Sequence, residues 1–222
     1  RVEVRSMYPR RGSYGDRGIS ARIDYVIAVP AGAAVSVRAV SGDVVVSNVR
    51  GEVRAEAVSG DVSVESTPNL AVAKTVSGNV IARDIGGATT LVLSTVSGSV
   101  MASGLRVRAL EAGSVSGNVK LSGMQVERVE AKSVSGNIEF DAPLARAGRY
   151  EFTSHSGNIR IVISSGTGFE LDADTFSGSV RSNIPVTLRT MGREERIRRR
   201  GTGNRSIRGS YGDASAILSV RS

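Results

Sequence analysis

Cysteine is missing from all 222 residues, and its absence removes a disulfide framework, Cys-ligated zinc sites and thiol catalysis. Tryptophan is missing too, and aromatics make up only 4% of the chain against 40% hydrophobic residues. A core built from this sequence is filled with Val, Ile, Leu and Ala, which favours thin, regular layers over a bulky globule. Five prolines beside 26 glycines suit frequent tight turns between short strands, not a collagen-like or disordered chain. No run approaches the roughly 18 apolar residues that span a bilayer, so no transmembrane segment is expected. The opening Arg-Val-Glu-Val lacks the charged-then-apolar layout of a signal peptide. A first residue of Arg rather than Met is expected to reflect processing, such as a removed signal peptide or an upstream anchor.

What is present is a repeat. The pair Ser-Gly recurs with its glycine at Gly42, Gly60, Gly78, Gly98, Gly117, Gly136, Gly157 and Gly178, at separations of 18, 18, 20, 19, 19, 21 and 21 residues. A period near twenty with small insertions is the signature of a stacked repeat architecture. Seven residues before the glycine stand Val35, Val53, Ala71, Leu91, Leu110, Val129, Tyr150 and Leu171. Five before it stand Val37, Ala55, Ala73, Leu93, Ala112, Ala131, Phe152 and Ala173, and the position between these columns is often charged. Two after it come Val44, Val62, Val80, Val100, Val119, Ile138, Ile159 and Val180. This period-two alternation places one strand before each turn and one after it.

Short strands with regular turns also suit an antiparallel sandwich. Constant columns decide against it, because a parallel stack sets each column above itself at about 4.8 Å, whereas a meander pairs different columns. The expectation is therefore an all-β, single-stranded parallel β-solenoid (β-helix) of 18–21 residues per rung. The general rule for parallel crossovers makes it right-handed. The whole chain, 1–222, reads as one domain: an N-terminal cap strand and turn over 1–34, regular rungs over 35–188, a basic exposed loop over 189–207 and a degenerate terminal rung over 208–222. Ile19, Ala21, Ile23, Tyr25, Ile27 and Val29 alternate with mostly polar residues and supply the cap strand that an open solenoid edge needs. The hexapeptide Arg-Gly-Ser-Tyr-Gly-Asp occurs at 11–16 and again at 208–213, read as a pair of cap turns, with a shared recognition motif as the alternative.

Tandem Val-Ser-Gly-Asp/Asn-Val rungs over about 35–180 resemble a bacterial cell-envelope family of β-strand repeat proteins with an adhesin assignment. The resemblance implies an envelope location, periplasmic or extracellular, and a scaffold or binding role without catalysis. It brings no catalytic residue with it.

The residues themselves support few sites. The glycine column forms a structural turn ladder, because a tight corner calls for positive φ. The following column, Asp43, Asp61, Asn79, Ser99, Asn118, Asn137, Asn158 and Ser179, reads as a hydrogen-bonded ladder holding the turn; only two of its members are acidic, too few for calcium. His155, the single histidine, sits where other rungs carry Val or Phe and has no second His or Cys to complete a transition-metal site. Serine at every turn leaves none distinguished as a nucleophile. No cofactor and no metal is expected.

Charge carries the functional hint. Twenty-nine Lys and Arg against 21 Asp and Glu give a formal +8. Arg189, Arg193, Arg196, Arg198, Arg199, Arg200, Arg205 and Arg208 crowd into one stretch against Glu194 and Glu195, a candidate site for an anionic partner. The stretch holds no aromatic residue to stack on bases, so nucleic acid is not expected. The function that follows is a non-catalytic envelope scaffold or adhesin-like interaction protein, presenting sheet faces and a basic loop to a protein partner or an anionic envelope surface. The alternatives are a structural accessory subunit docked on a membrane-associated assembly and a polysaccharide-active solenoid enzyme.

Overall fold

A computed structural model of the chain describes residues 24–87, 89–164, 166–176, 179–188 and 205–222. The architecture is an all-β parallel solenoid of seven turns, each giving one strand to each of two sheets. The first-sheet strands are β1 (Val35–Ser41), β3 (Val53–Ser59), β5 (Leu70–Lys74), β7 (Thr90–Ser97), β9 (Arg106–Ser116), β11 (Gln125–Ser135) and β13 (Arg149–Ser156). The second-sheet strands are β2 (Val44–Ser47), β4 (Val62–Glu65), β6 (Val80–Arg83), β8 (Val100–Ser103), β10 (Val119–Ser122), β12 (Ile138–Asp141) and β14 (Ile159–Val162). Equivalent columns stack on one another, as in Val44↔Val62 and Ser41↔Ser59, so the constant columns arise from parallel register.

The core lies between the sheets. Val53, Leu91, Leu93, Val62, Val80, Val100, Val119 and Ile138 are fully buried, each contributing about 1.5–3 kcal/mol gross. One expected member is displaced: in β5 the partner of Val53 is Leu70, and Arg54 then pairs with Val72. Ala71 becomes the extra residue of a bulge and is only half-buried, while Leu70 takes the core place. Toward the last rungs the core thickens into aromatics. Phe140 lies 5.7 Å from Tyr150 and 5.2 Å from Phe152 between ring centroids. The buried Tyr150 hydroxyl accepts from the Ala145 amide at 2.7 Å and donates to the Val126 carbonyl at 2.8 Å. Burial holds its pKa above the usual phenol value.

A second corner closes each of the first five rungs, and no constant residue type marks it. Asn48, Ser66 and Asp84 turn with φ of 58°, 51° and 52°, and Gly104 and Gly123 take the same place with 65° and 55°. Asn, Asp and Gly are the residues that tolerate this left-handed region. The next residue of each, Val49, Thr67, Ile85, Leu105 and Met124, drops into the core.

The ends differ from expectation. Residues 24–30 form no strand, and Val26 is fully exposed, so the alternating pattern around Ile27 and Val29 builds no cap strand there. Ile19, Ala21, Ile23 and the first hexapeptide lie outside the described residues. The eighth repeat makes only its first strand, β15 (Phe169–Thr175); Val180 is exposed and in no strand, and Gly178 lies outside the described residues. The chain returns through β16 (Thr187–Leu188), β17 (Arg205–Tyr211) and β18 (Ala216–Arg221). β17 runs antiparallel to β15, and β18 is inserted in parallel between β13 and β15, with Leu218 opposite both Tyr150 and Leu171. The terminal segment is thus not a worn last rung but a strand wedged inside the stack. The second hexapeptide ends β17 and makes the turn into β18, where Asp213 accepts from the Gly168 amide at 3.0 Å.

Candidate functional site

Hydrogen bonds hold the turns from outside and, from the third rung on, from inside. On the outside, the Asx side chain of one rung accepts from the backbone amide of the next. Asp43 takes Asp61 at 2.9 Å, Asp61 takes Asn79 at 2.7 Å, Asn79 takes Ser99 at 3.0 Å, and Asn118 and Asn137 take Asn137 and Asn158 at 2.9 Å each. Among the described residues no group of three His, Asp or Glu is placed to hold a metal. On the inside, from the third rung on, a buried hydroxyl three residues before the turn glycine donates to the turn carbonyl of the rung below, where the first two rungs carry Ala39 and Ala57. These are Thr75 to Gly60 at 2.9 Å, Thr95 to Gly78 at 2.9 Å, Ser114 to Gly98 at 2.8 Å, Ser133 to Gly117 at 3.2 Å and Ser154 to Gly136 at 3.0 Å. The turns stack so closely that a Cβ on Gly60, where φ is 134°, would overlap the Gly42 carbonyl.

Because the hydroxyl column points inward, the residue after it points out. Val40, Val58, Val76, Val96, Val115 and Val134 form a row of valines along the solenoid, five of them 47–50% exposed and Val40 78%. Two residues earlier on the same strands, Arg38, Glu56, Lys74, Ser94, Gly113, Lys132 and Thr153 make the opposite rim. Between the rows runs an open groove of about 1000 Å³ with His155 at its far end. Six valines one rung apart span about 24 Å at a rung spacing of about 4.8 Å. The row is an apolar stripe on the outer face of the first sheet.

The rim is polar and net positive. Arg38 holds Glu56, the one carboxylate lining the groove among the described residues, at 3.0 Å. Lys132 pairs with Glu130, whose hydrogen bond and charge raise its pKa. Lys74 has no ion-pair partner among the described residues. His155, read from the sequence as a tolerated replacement in the Val column, is an exposed member of this wall.

The arginine stretch divides. Arg189, Arg193, Arg196, Arg198, Arg199 and Arg200 lie outside the described residues. Arg205 and Arg208 belong to β17, where Arg208 reaches Asp172 at 3.4 Å, so this end of the stretch is sheet and not loop. The valine groove escaped the sequence reading, although its signal was there: alternation carried on from the column five before the glycine puts the third-before residue inside and the Val of Val-Ser-Gly outside.

Seven stacked turns, two parallel sheets and a hydrogen-bonded turn ladder define a β-solenoid repeat protein. A profile of the family described as Toastrack DUF4097 matches residues 20–215, and the chain belongs to that family. No curated protein and no solved structure matches the chain.

Proposed function

We propose that this Toastrack solenoid is a non-catalytic, adhesin-like interaction scaffold of the bacterial cell envelope, and that it engages a protein partner along the valine groove. The observation that carries the reading is the unbroken row from Val40 to Val134, held at rung spacing by parallel strand pairing and by the hydrogen bonds of the turns. A rigid scaffold keeps such a row in line without cost at the moment of binding. The groove wall is apolar, and Glu56 is held by Arg38, which supports binding over acid-base chemistry. To test it, the immobilised chain is exposed to solubilised envelope from its own bacterium, beside a variant with Val76, Val96 and Val115 changed to Ser. A protein retained by the parent and lost from the variant supports the reading; equal retention refutes it.

The concentration of arginine over 189–208 favours a second reading, an accessory subunit held against an anionic membrane-associated surface. Each basic residue near such a surface contributes about 1 kcal/mol, within a screening range of about 8–10 Å. Changing Arg196, Arg198, Arg199 and Arg200 to Ser abolishes low-salt sedimentation with anionic vesicles if this is right, and leaves it unchanged if it is wrong.

A further inference from the structure

The groove has a period, and the period separates a helical peptide from an extended one. Valines recur about every 4.8 Å. An extended peptide laid along the row presents same-face side chains about every 6.6 Å, so over five steps it drifts by about 9 Å, nearly two rungs. An amphipathic helix presents apolar residues on average every 3.5 positions, about 5.25 Å apart, and over five steps it drifts by only about 2 Å, under half a rung. About sixteen helical residues cover the 24 Å of the row.

Gly113 is the second observation. It lies inside β9, where glycine weakens a strand, yet no positive φ requires it, and an added Cβ would meet only the Lys132 carbonyl at an ordinary 3.7 Å. A glycine in a strand with no bulge or positive φ leaves room for another backbone to come close. With its neighbour Ser94 it lowers the rim midway along the groove, between Lys74 and Lys132. The low point is flanked by Lys74 on one side and, on the other, by Lys132, whose charge is taken up by Glu130 with Glu111 and Glu151 nearby.

We infer that the groove receives an amphipathic α-helix of a partner protein, about four to five turns long, with its apolar stripe on the valines, its backbone closest at Gly113 and an acidic residue on the edge facing Lys74. This deepens the groove reading proposed above and rests on it. Helix-in-groove docking of this kind reads apolar anchors one turn apart.

The test uses three fluorescein-labelled synthetic 18-residue peptides: a helix with Leu and Ala in one stripe and Glu on one edge, a scramble of the same composition, and a strand-forming peptide of alternating Val and Glu. Fluorescence anisotropy is read against the parent chain and against Gly113→Val, Val96→Asp and Lys74→Glu. The helix is expected to bind the parent at least tenfold more tightly than the other two peptides. It weakens at least tenfold with Gly113→Val, a change that keeps or raises the melting temperature and so separates blocked docking from lost folding. Equal binding of the strand peptide, no binding of the helix, or insensitivity to Gly113→Val overturns the inference. A dimer of the chain in sedimentation that Val96→Asp dissociates also overturns it, by giving the groove to a second copy. If an envelope protein is retained in a valine-dependent way but the helical peptide does not displace it, the helix is wrong and the groove reading stands. If retention ignores the valines, both fail.

Discussion

Replacing Thr95 with Val deletes one hydroxyl and keeps the shape of the side chain. Thr95 is 4% exposed, and its hydroxyl is the donor to the Gly78 carbonyl at 2.9 Å, an oxygen that no backbone donor reaches among the described residues. Leaving a carbonyl unpaired costs about 1–3 kcal/mol when it is buried, and this half-buried one lies toward the lower end. At about 2–4 °C per kcal/mol for a domain of this size, Tm falls by about 2–12 °C. Thr95→Ser keeps the hydroxyl, as Ser114, Ser133 and Ser154 do in later rungs, and gives up only one methyl, about 0.8 kcal/mol. Thermal unfolding followed by far-UV circular dichroism then orders the three proteins: parent highest, Ser variant close below it, Val variant lowest. A Val variant as stable as the parent, or a Ser variant as damaged as the Val variant, refutes the idea that the hydroxyl column holds the turns.

Gly78→Ala brings a methyl against the Gly60 carbonyl at φ 147°, whereas Gly123→Ala meets nothing within 4 Å and bears only the roughly 1 kcal/mol of a left-handed φ, here 55°. Urea midpoints should therefore fall further for Gly78→Ala, and equal midpoints contradict the close stacking of turns. Ending the chain after Tyr211 removes β18 from between β13 and β15. Amide hydrogen exchange should rise in those two strands while β3 and β9 stay protected, and uniform loss of protection would show instead that the solenoid opens as one unit. Hydrogen bonds from Ser215, and from the Gly168 amide, hold the Asp213 carboxyl below the usual carboxylate value. A depressed folded-state pKa contributes stability above the unfolded carboxyl range and loses it as pH falls through that range. Asp213→Asn should flatten the acid limb of the stability profile, and an unchanged limb removes Asp213 from the closing turn.

The rungs were legible because stacking makes each column meet itself, so selection acts on eight near-copies at once. That is why Val44, Val62, Val80 and Val100 share one residue type. Departures came where this logic fails. Ala71 obeyed the spacing but yielded to Leu70, since a one-residue bulge moves the larger side chain inward. The second corner was hidden because Asn48, Ser66, Asp84 and Gly104 meet one conformational need with four residue types. β18 could not be placed, because Ala216–Arg221 has the pattern of any strand and nothing local states that its neighbours are β13 and β15. The groove was overlooked for a different reason. Val in Val-Ser-Gly adjoins the turn, and its outward direction follows only when the buried Thr and Ser column is counted as core.

Photo-crosslinking tests the central claim, that the valine row is the face that meets a partner. A benzophenone amino acid is placed in turn at Val58, Val76, Val96 and Val115, and at Ser63, Ile81, Met101 and Lys120, which stack in register on the outer face of the second sheet. After illumination in cells, the account predicts one discrete crosslinked species from the valine positions and none from the second-sheet positions. Crosslinks from the second sheet alone, or equally from both faces, contradict it.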